Sequence, residues 1–241
     1  TPPNETYWNV LAQGGTDLGA ALSNNQIAIK NNSGNIAGVN IGNAGEFLKV
    51  SSGATGYEFG AVSSDFVKLL EINQTTAVGS IFIQQFITST YKHYKVILNN
   101  VVHSASGNQS EMRLLTGTNT QYQSNNYYGL GQGYYKQYAG GSGSSHDQFS
   151  THGVNYFRFT PGFNPGDDWG SMTIMDLYAE ANKRPMMVSN SIHPRHSNQY
   201  LYQGTGGMIV DDTSQTWTGL LLYPSSGANI TNADITIYGL K

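Results

Sequence analysis

The residues whose types could do chemistry are few and poorly arranged for it. Two histidines stand three apart in His193-Pro194-Arg195-His196. On a helix that spacing would let both imidazoles reach one metal ion, but Pro194 disfavours a helix and places the segment in a loop. His146 and His152 flank Asp147 without a ligand spacing. A zinc enzyme needs a third protein ligand and an activated water. Neither can be assigned, so these histidines read as surface residues. Gly162 to Trp169 sets Asp167 beside Asp168 in a turn-rich stretch. With Asn164 these carboxylates could take calcium through oxygen, yet the alternate-position ligands ending in Glu are missing. An exposed turn capped by Asp is the simpler reading, and whether the pair holds an ion stays open. Asp211 and Asp212 follow the same logic. There is no Gly-x-Ser-x-Gly elbow, and no two acids can be singled out for glycosidase work. The chain has no cysteine, which removes thiolate nucleophiles, thiolate zinc sites and disulfides. The sequence predicts no catalytic residue, no metal and no cofactor.

Binding chemistry is better represented. Tyr122, Tyr127, Tyr128, Tyr134, Tyr135 and Tyr138 lie in a Gly- and Asn-rich stretch from Gln121 to Gly143. Exposed aromatic rings stack on the apolar faces of sugars, while neighbouring amides bond sugar hydroxyls. Tyrosine also supplies rigid, amphipathic contact area at low entropic cost. These six tyrosines are expected to form a receptor-contact loop, since loops carry function. The competing reading is that alternate tyrosines cover a sandwich or a trimer interface.

Composition narrows the partners. Only 11% of the 241 residues are charged, while Gly alone accounts for 29; ordinary soluble domains carry about 25% charged residues. Neutral amides and hydroxyls must therefore keep the surface hydrated. The net charge is −3 and no Lys/Arg cluster exists, which argues against nucleic acid and against anionic membrane surfaces. No apolar run approaches the roughly 20 residues of a spanning helix, so no membrane insertion is expected. The first residues, Thr1 to Thr6, lack the basic and apolar regions of a signal peptide. Secretion by the usual route is therefore unsupported, although a protein can still reach the outside when a lysing cell releases assembled particles.

The elements that must position these residues are short strands. Residues 1–62 hold Tyr7–Leu11, either an anchoring strand or a helical turn, then Gln26–Lys30, Ile36–Ile41, Phe47–Val50 and Tyr57–Phe59. Asn31 to Gly34 and Ser51 to Gly53 are turn clusters between them. Each run is too short, and each face too narrow, to build a core alone. Such a segment becomes stable when neighbouring copies cover it. A junction falls at Ala61–Asp65. Strands then follow at Phe66–Ile72, Ser80–Ile87, Tyr94–Val101, Glu111–Leu115, Asn155–Phe159, Gly170–Tyr178, Pro185–Ser191, Gln199–Gly204, Trp217–Tyr223 and Asp234–Leu240. About ten strands with turn signals and no convincing helix predict an all-β chain. The expected architecture is a short-stranded stem or collar region (1–62) followed by an antiparallel, jelly-roll-like β-sandwich head (63–241).

Several stretches carry a resemblance. The stretch from Gly42 to Gly60 resembles a segment common in tail-fibre and related appendage proteins of tailed bacteriophages. Tyr91 to Val101, then Met112-Arg113-Leu114 and a Tyr-rich stretch, and finally Thr236-Ile237-Tyr238-Gly239-Leu240-Lys241 resemble, in the same order, the terminal β-sandwich of many such proteins. The resemblance covers about half the chain. It departs from the family pattern in having no His-x-His iron-binding pair and no separate C-terminal chaperone region. It implies a virion protein that forms a homotrimeric fibre or spike. The N-terminal region would join other virion proteins, and the sandwich would hold a host-surface glycan or protein without catalysis. Three rivals remain: a head fibre, collar fibre or decoration protein with no receptor role; a stand-alone carbohydrate-binding module; and a polysaccharide-degrading enzyme. For the last, the chain is too short and its strands too irregular to form the usual parallel β-helix.

Overall fold

The computed structural model of the chain describes residues 22–31, 33–54, 56–61, 65–105, 109–137, 144–159, 170–195, 200–225 and 227–240. Asp167, Asp168, Tyr138 and His196 lie outside the described residues, as does the segment Tyr7–Leu11. The chain divides into two compact units, Thr1–Ser64 and Asp65–Lys241.

The first unit contains two antiparallel hairpins. In one, β1 (Gln26–Lys30) pairs with β2 (Ile36–Asn40); in the other, β3 (Glu46–Val50) pairs with β4 (Tyr57–Ala61). The first turn is closed by Asn31, whose side-chain oxygen accepts from the amides of Ser33 and Asn35 at 3.1 and 3.0 Å. Gly34 supplies the left-handed backbone (φ 81°) the turn requires. Across the second hairpin Lys49 and Glu58 form an exposed ion pair at 3.4 Å, a contact worth at most about 1 kcal/mol. No described residue of this unit is buried, and Phe47, Val50 and Tyr57 are among its exposed side chains.

The second unit is a sandwich of two antiparallel sheets. Its strands are β5 (Phe66–Gln74), β6 (Ile81–Ile83), β7 (His93–His103), β8 (Ser110–Gly117), β9 (Thr120–Gln121), β10 (Tyr127–Gln137), β11 (Ser144–Val154), β12 (Phe157–Arg158), β13 (Ser171–Tyr178), β14 (Met186–Arg195), β15 (Tyr200–Val210), β16 (Gly219–Pro224) and β17 (Ile230–Leu240). The large sheet has the order β11-β10-β15-β14-β13-β7-β17-β5, and the small one β12-β8-β16-β6 with β9 beside β8. The chain passes repeatedly from one sheet to the other, as a jelly-roll-like sandwich requires. No helix occurs among the described residues. The fold class is all-β, as the alternation in the sequence predicts.

Period-2 alternation sends one face of each strand inward. Val96 and Leu98 of β7, Met175 and Leu177 of β13, and Ile235 and Ile237 of β17 meet Ile83, Met112, Leu114, Leu220 and Leu222 of the small sheet in one core. The inner face of β14 changes character along its length, from buried Met187 through Ser189 and Ser191 to His193. On β15, inward-facing Tyr202 lies over the cross-strand pair Gly133 and Gly204. A Cβ at Gly133 would stand 1.5 Å from the Tyr202 hydroxyl oxygen, and one at Gly204 would stand 2.7 Å from the ring. Only glycine fits beneath that ring.

Two expectations fail here. The described part of the stretch from Gln121 to Gly143 is not a loop: most of it is the long strand β10, hydrogen-bonded on both sides. Its inner-facing positions include Gly129, Gly131 and Gly133, so it lacks the apolar alternation that usually betrays a strand. His193-Pro194-Arg195 is not a loop either, and His193 is not a surface residue. The three residues end β14, beyond its last pairing with β13 at Ile192. One edge of the strand carries no described ladder there, which is where a strand tolerates proline.

Candidate binding face

The outer face of the large sheet is the broadest surface the sandwich presents. Its register lines up outward-facing residues from β11 to β5 in rows perpendicular to the strands. One row runs His152, Tyr128, Ile209, Met186, Tyr178, His93, Leu240 and Phe66. It is aromatic and apolar, with edge-on rings at Tyr128–His152 (4.9 Å) and His93–Tyr178 (5.3 Å). The next row runs Ser150, Leu130, Gly207, Val188, Asp176 and Lys95. The row beyond is mostly polar, with Gln148, Gln132, Thr205 and Asn190 ahead of Ile174.

Two depressions interrupt this face. An apolar one of about 360 Å³ includes Tyr178, Met186 and Val188. A larger one of about 790 Å³ lies across β11, β10, β15 and β14, between Leu130 and Val188 and beside Gln132, Gln148, Ser150 and Thr205. Leu130 is 71% exposed and Val188 is 55% exposed. Both apolar side chains stand free in the middle of the sheet face. Two ion pairs lie on this face: Lys95 meets Asp176 at 2.6 Å, and Lys68 meets Glu71 within its own strand.

The six predicted tyrosines separate into different roles. Tyr134 is 60% exposed and Tyr128 half-buried, both on the outer face. Tyr135 belongs to β10, where it pairs with Tyr202 and Ser145. Tyr122 and Tyr127 contradict the expectation of a receptor contact, because both are buried in the core. Their hydroxyls explain why. Tyr127 accepts from the Leu114 amide at 2.9 Å and donates to the Tyr122 carbonyl at 3.2 Å, bridging β10 in one sheet to β8 in the other. Burial pushes the Tyr127 hydroxyl pKa upward, so the proton it donates stays in place. Tyr122 donates to Asp212 at 2.6 Å and sets its ring edge-on to buried Trp217 at 5.2 Å. Tyr127→Phe strands the buried Leu114 amide and is expected to cost about 1–3 kcal/mol, read as a lower urea midpoint with unchanged m. A midpoint equal to the parent's would refute the bridging role.

The acidic and basic candidates have structural partners. The Asp212 carboxylate is held down to a pKa of about 2, first by the Tyr122 hydroxyl and then by the Ser214 backbone amide and side chain. It therefore caps a turn. Glu111, buried beside Arg158 at 3.3 Å, is pushed above the usual carboxylate range by burial, which outweighs the guanidinium. Among the described residues no three His, Asp or Glu side chains come together as metal ligands. Sequence reasoning missed the row through Leu130, Gly207 and Val188. Its members, an outward glycine flanked by Leu130 and Val188, become neighbours only once three strands are placed in register. Comparison with family models, curated proteins and solved structures finds no match.

Proposed function

We propose that this chain is an appendage protein of a tailed-bacteriophage virion, a homotrimeric fibre or spike that attaches the particle to a host-surface glycan without catalysis. The observation that carries the reading is the contrast between the two units. The sandwich has a complete core of its own, whereas the described part of the first unit has no buried residue at all. A unit that cannot bury its Phe47, Val50 and Tyr57 alone needs other chains, and identical copies are the commonest way to supply them. The first unit then serves assembly and connection to other virion proteins, and the sandwich serves contact. The outer sheet face offers exposed aromatic and aliphatic side chains set among neutral amides and hydroxyls. That is the chemistry of sugar recognition, with apolar contact to ring C–H faces and hydrogen bonds to hydroxyls. Several copies on one particle turn weak individual contacts into firm attachment.

Immunogold labelling of virions with antibody to the sandwich, paired with adsorption in the presence of purified chain, tests this reading. Label at a tail or fibre tip and slowed adsorption are expected. Label on the capsid or collar with normal adsorption would make the protein a structural appendage, and unlabelled particles would remove it from the virion.

A further inference from the structure

The larger hollow of the outer face exists because of one residue that the fold does not require. Gly207 lies in the interior of β15, directly between Leu130 of β10 and Val188 of β14. Glycine inside a strand is costly, since it loses more entropy on folding and offers nothing to pack. The usual structural reasons for tolerating it are missing. Its φ lies outside the left-handed region, and an added Cβ would meet only the Met187 carbonyl oxygen, at an ordinary 3.7 Å. Gly133 and Gly204, on the opposite face, are different, because Tyr202 occupies their side-chain space. Any larger residue at 207 would fill the hollow from its floor.

The lining shows what the space is shaped to take. Leu130 and Val188 form two apolar walls, and Gln132, Gln148, Ser150 and Thr205 supply amides and hydroxyls. Each amide side chain carries both donor and acceptor, so it can match a hydroxyl in either direction. No charged side chain is among these lining residues. The nearest charges in the row, Asp176 and Lys95, neutralise each other. An anionic group would lose its hydration here without gaining an ion pair. The volume of about 790 Å³ is within the size of small-ligand clefts, about 300–1,000 Å³.

We propose that the Gly207 hollow is a subsite for a neutral pyranose unit of a surface polysaccharide. The sugar's C–H face rests on the glycine floor between Leu130 and Val188, and its hydroxyls exchange hydrogen bonds with Gln132, Gln148 and Thr205. This inference rests on the attachment reading and specifies its ligand class and its place.

The test is binding of the full chain and of Gly207→Val to an array of immobilised oligosaccharides, some neutral (hexose and N-acetylhexosamine units) and some anionic (uronate, sialylated and sulfated). The parent is expected to bind neutral glycans. Gly207→Val is expected to weaken that binding by about tenfold or more while melting at the same temperature or higher, because valine suits a strand. Gln132→Ala, a rim substitution that leaves the backbone alone, should weaken the same glycans and guards against a misfolded valine variant. Equal binding by parent and both variants would overturn the subsite while leaving glycan attachment standing. Binding confined to anionic glycans would overturn the neutral-sugar assignment alone. A parent that binds no glycan on the array and none displayed on bacterial envelopes would overturn both.

Discussion

A chain shortened to Asp65–Lys241 is expected to be a folded monomer where the full chain is a trimer. The sandwich core is built entirely from residues of the second unit, so its melting temperature should change little on truncation. The first unit is the part that demands company. Its strands are five residues long, and an isolated two-stranded hairpin is at best marginally stable in water. Covering a side chain such as Phe47 or Val50 is worth about 1.5–3 kcal/mol each. Repeated over several positions and three chains, that is enough to hold a stem together. Light scattering after size exclusion should give a threefold mass for the full chain and a single mass for the shortened one. A trimer surviving truncation would move the association to the sandwich. A full-length monomer would sink the fibre reading and favour a stand-alone carbohydrate-binding module.

Mild acid is expected to weaken the sandwich, with His193 as a principal cause. This histidine is fully enclosed on the inner face of β14, and neither ring nitrogen has a hydrogen-bond partner among the described residues. Burial, helped by His103, lowers its pKa to about 3. Tyr202 packs beside it at 5.8 Å, and Ser189 and Ser191 share its face. In the folded protein the ring stays neutral, whereas in the unfolded chain it takes a proton near pH 6.5. Between those two values the unfolded state binds more protons, so stability falls as pH falls. It is fully present above about 6.5, and the loss approaches 1.4 kcal/mol per pH unit below that. Urea midpoints at pH 7, 6 and 5 should therefore decline in the parent. His193→Met, which keeps bulk and removes the titrating ring, should flatten that decline. Asp212 stays out of this range, since it loses its contribution only as pH drops from about 4 towards 2, while Glu111, raised by burial, acts in the opposite sense and equally in parent and variant, so the difference between the two slopes reports His193. A parent with equal midpoints across this range, or a methionine variant with the parent's slope, would refute the assignment.

Strands that bury one clean apolar face were legible from their residues. Tyr94–Val101 reads as a strand and forms the centre of β7, and Asp234–Leu240 reads as a strand and forms the C-terminal part of β17. Asn31 and Gly34 mark the β1–β2 turn as their side chain and backbone require. The half of the large sheet built from β10, β11 and the far end of β15 was not legible. Its inward positions are largely glycine, with Tyr127 and Tyr202 among them, and its partner β11 mixes Ser, His, Asp and Phe, so hydrophobic period carries no signal there. Tyrosine type likewise did not reveal depth. Tyr127 and Tyr128 are neighbours on one strand, yet pleating sends the first into the core and the second to the outer face. The hollow was illegible for a further reason: Gly207, Leu130 and Val188 are distant in sequence and become neighbours only through strand order.

Weak hydrophobic alternation has a cost in fidelity, and the Tyr202 ring over Gly133 and Gly204 meets it. On β14 the outer face carries Met186 and Val188 while the inner carries Met187 and Ser189, so oil and water alone barely distinguish the right pairing from one shifted by a residue. A shift turns every side chain to the other face. Between β10 and β15 such a slip would bring Tyr202 over residues with side chains, where no room exists for the ring. The aromatic ring and its two glycines therefore act as a steric key against the one-residue slip. In an oligomer whose copies must agree on the shape of the face they present, that key enforces one geometry on every copy.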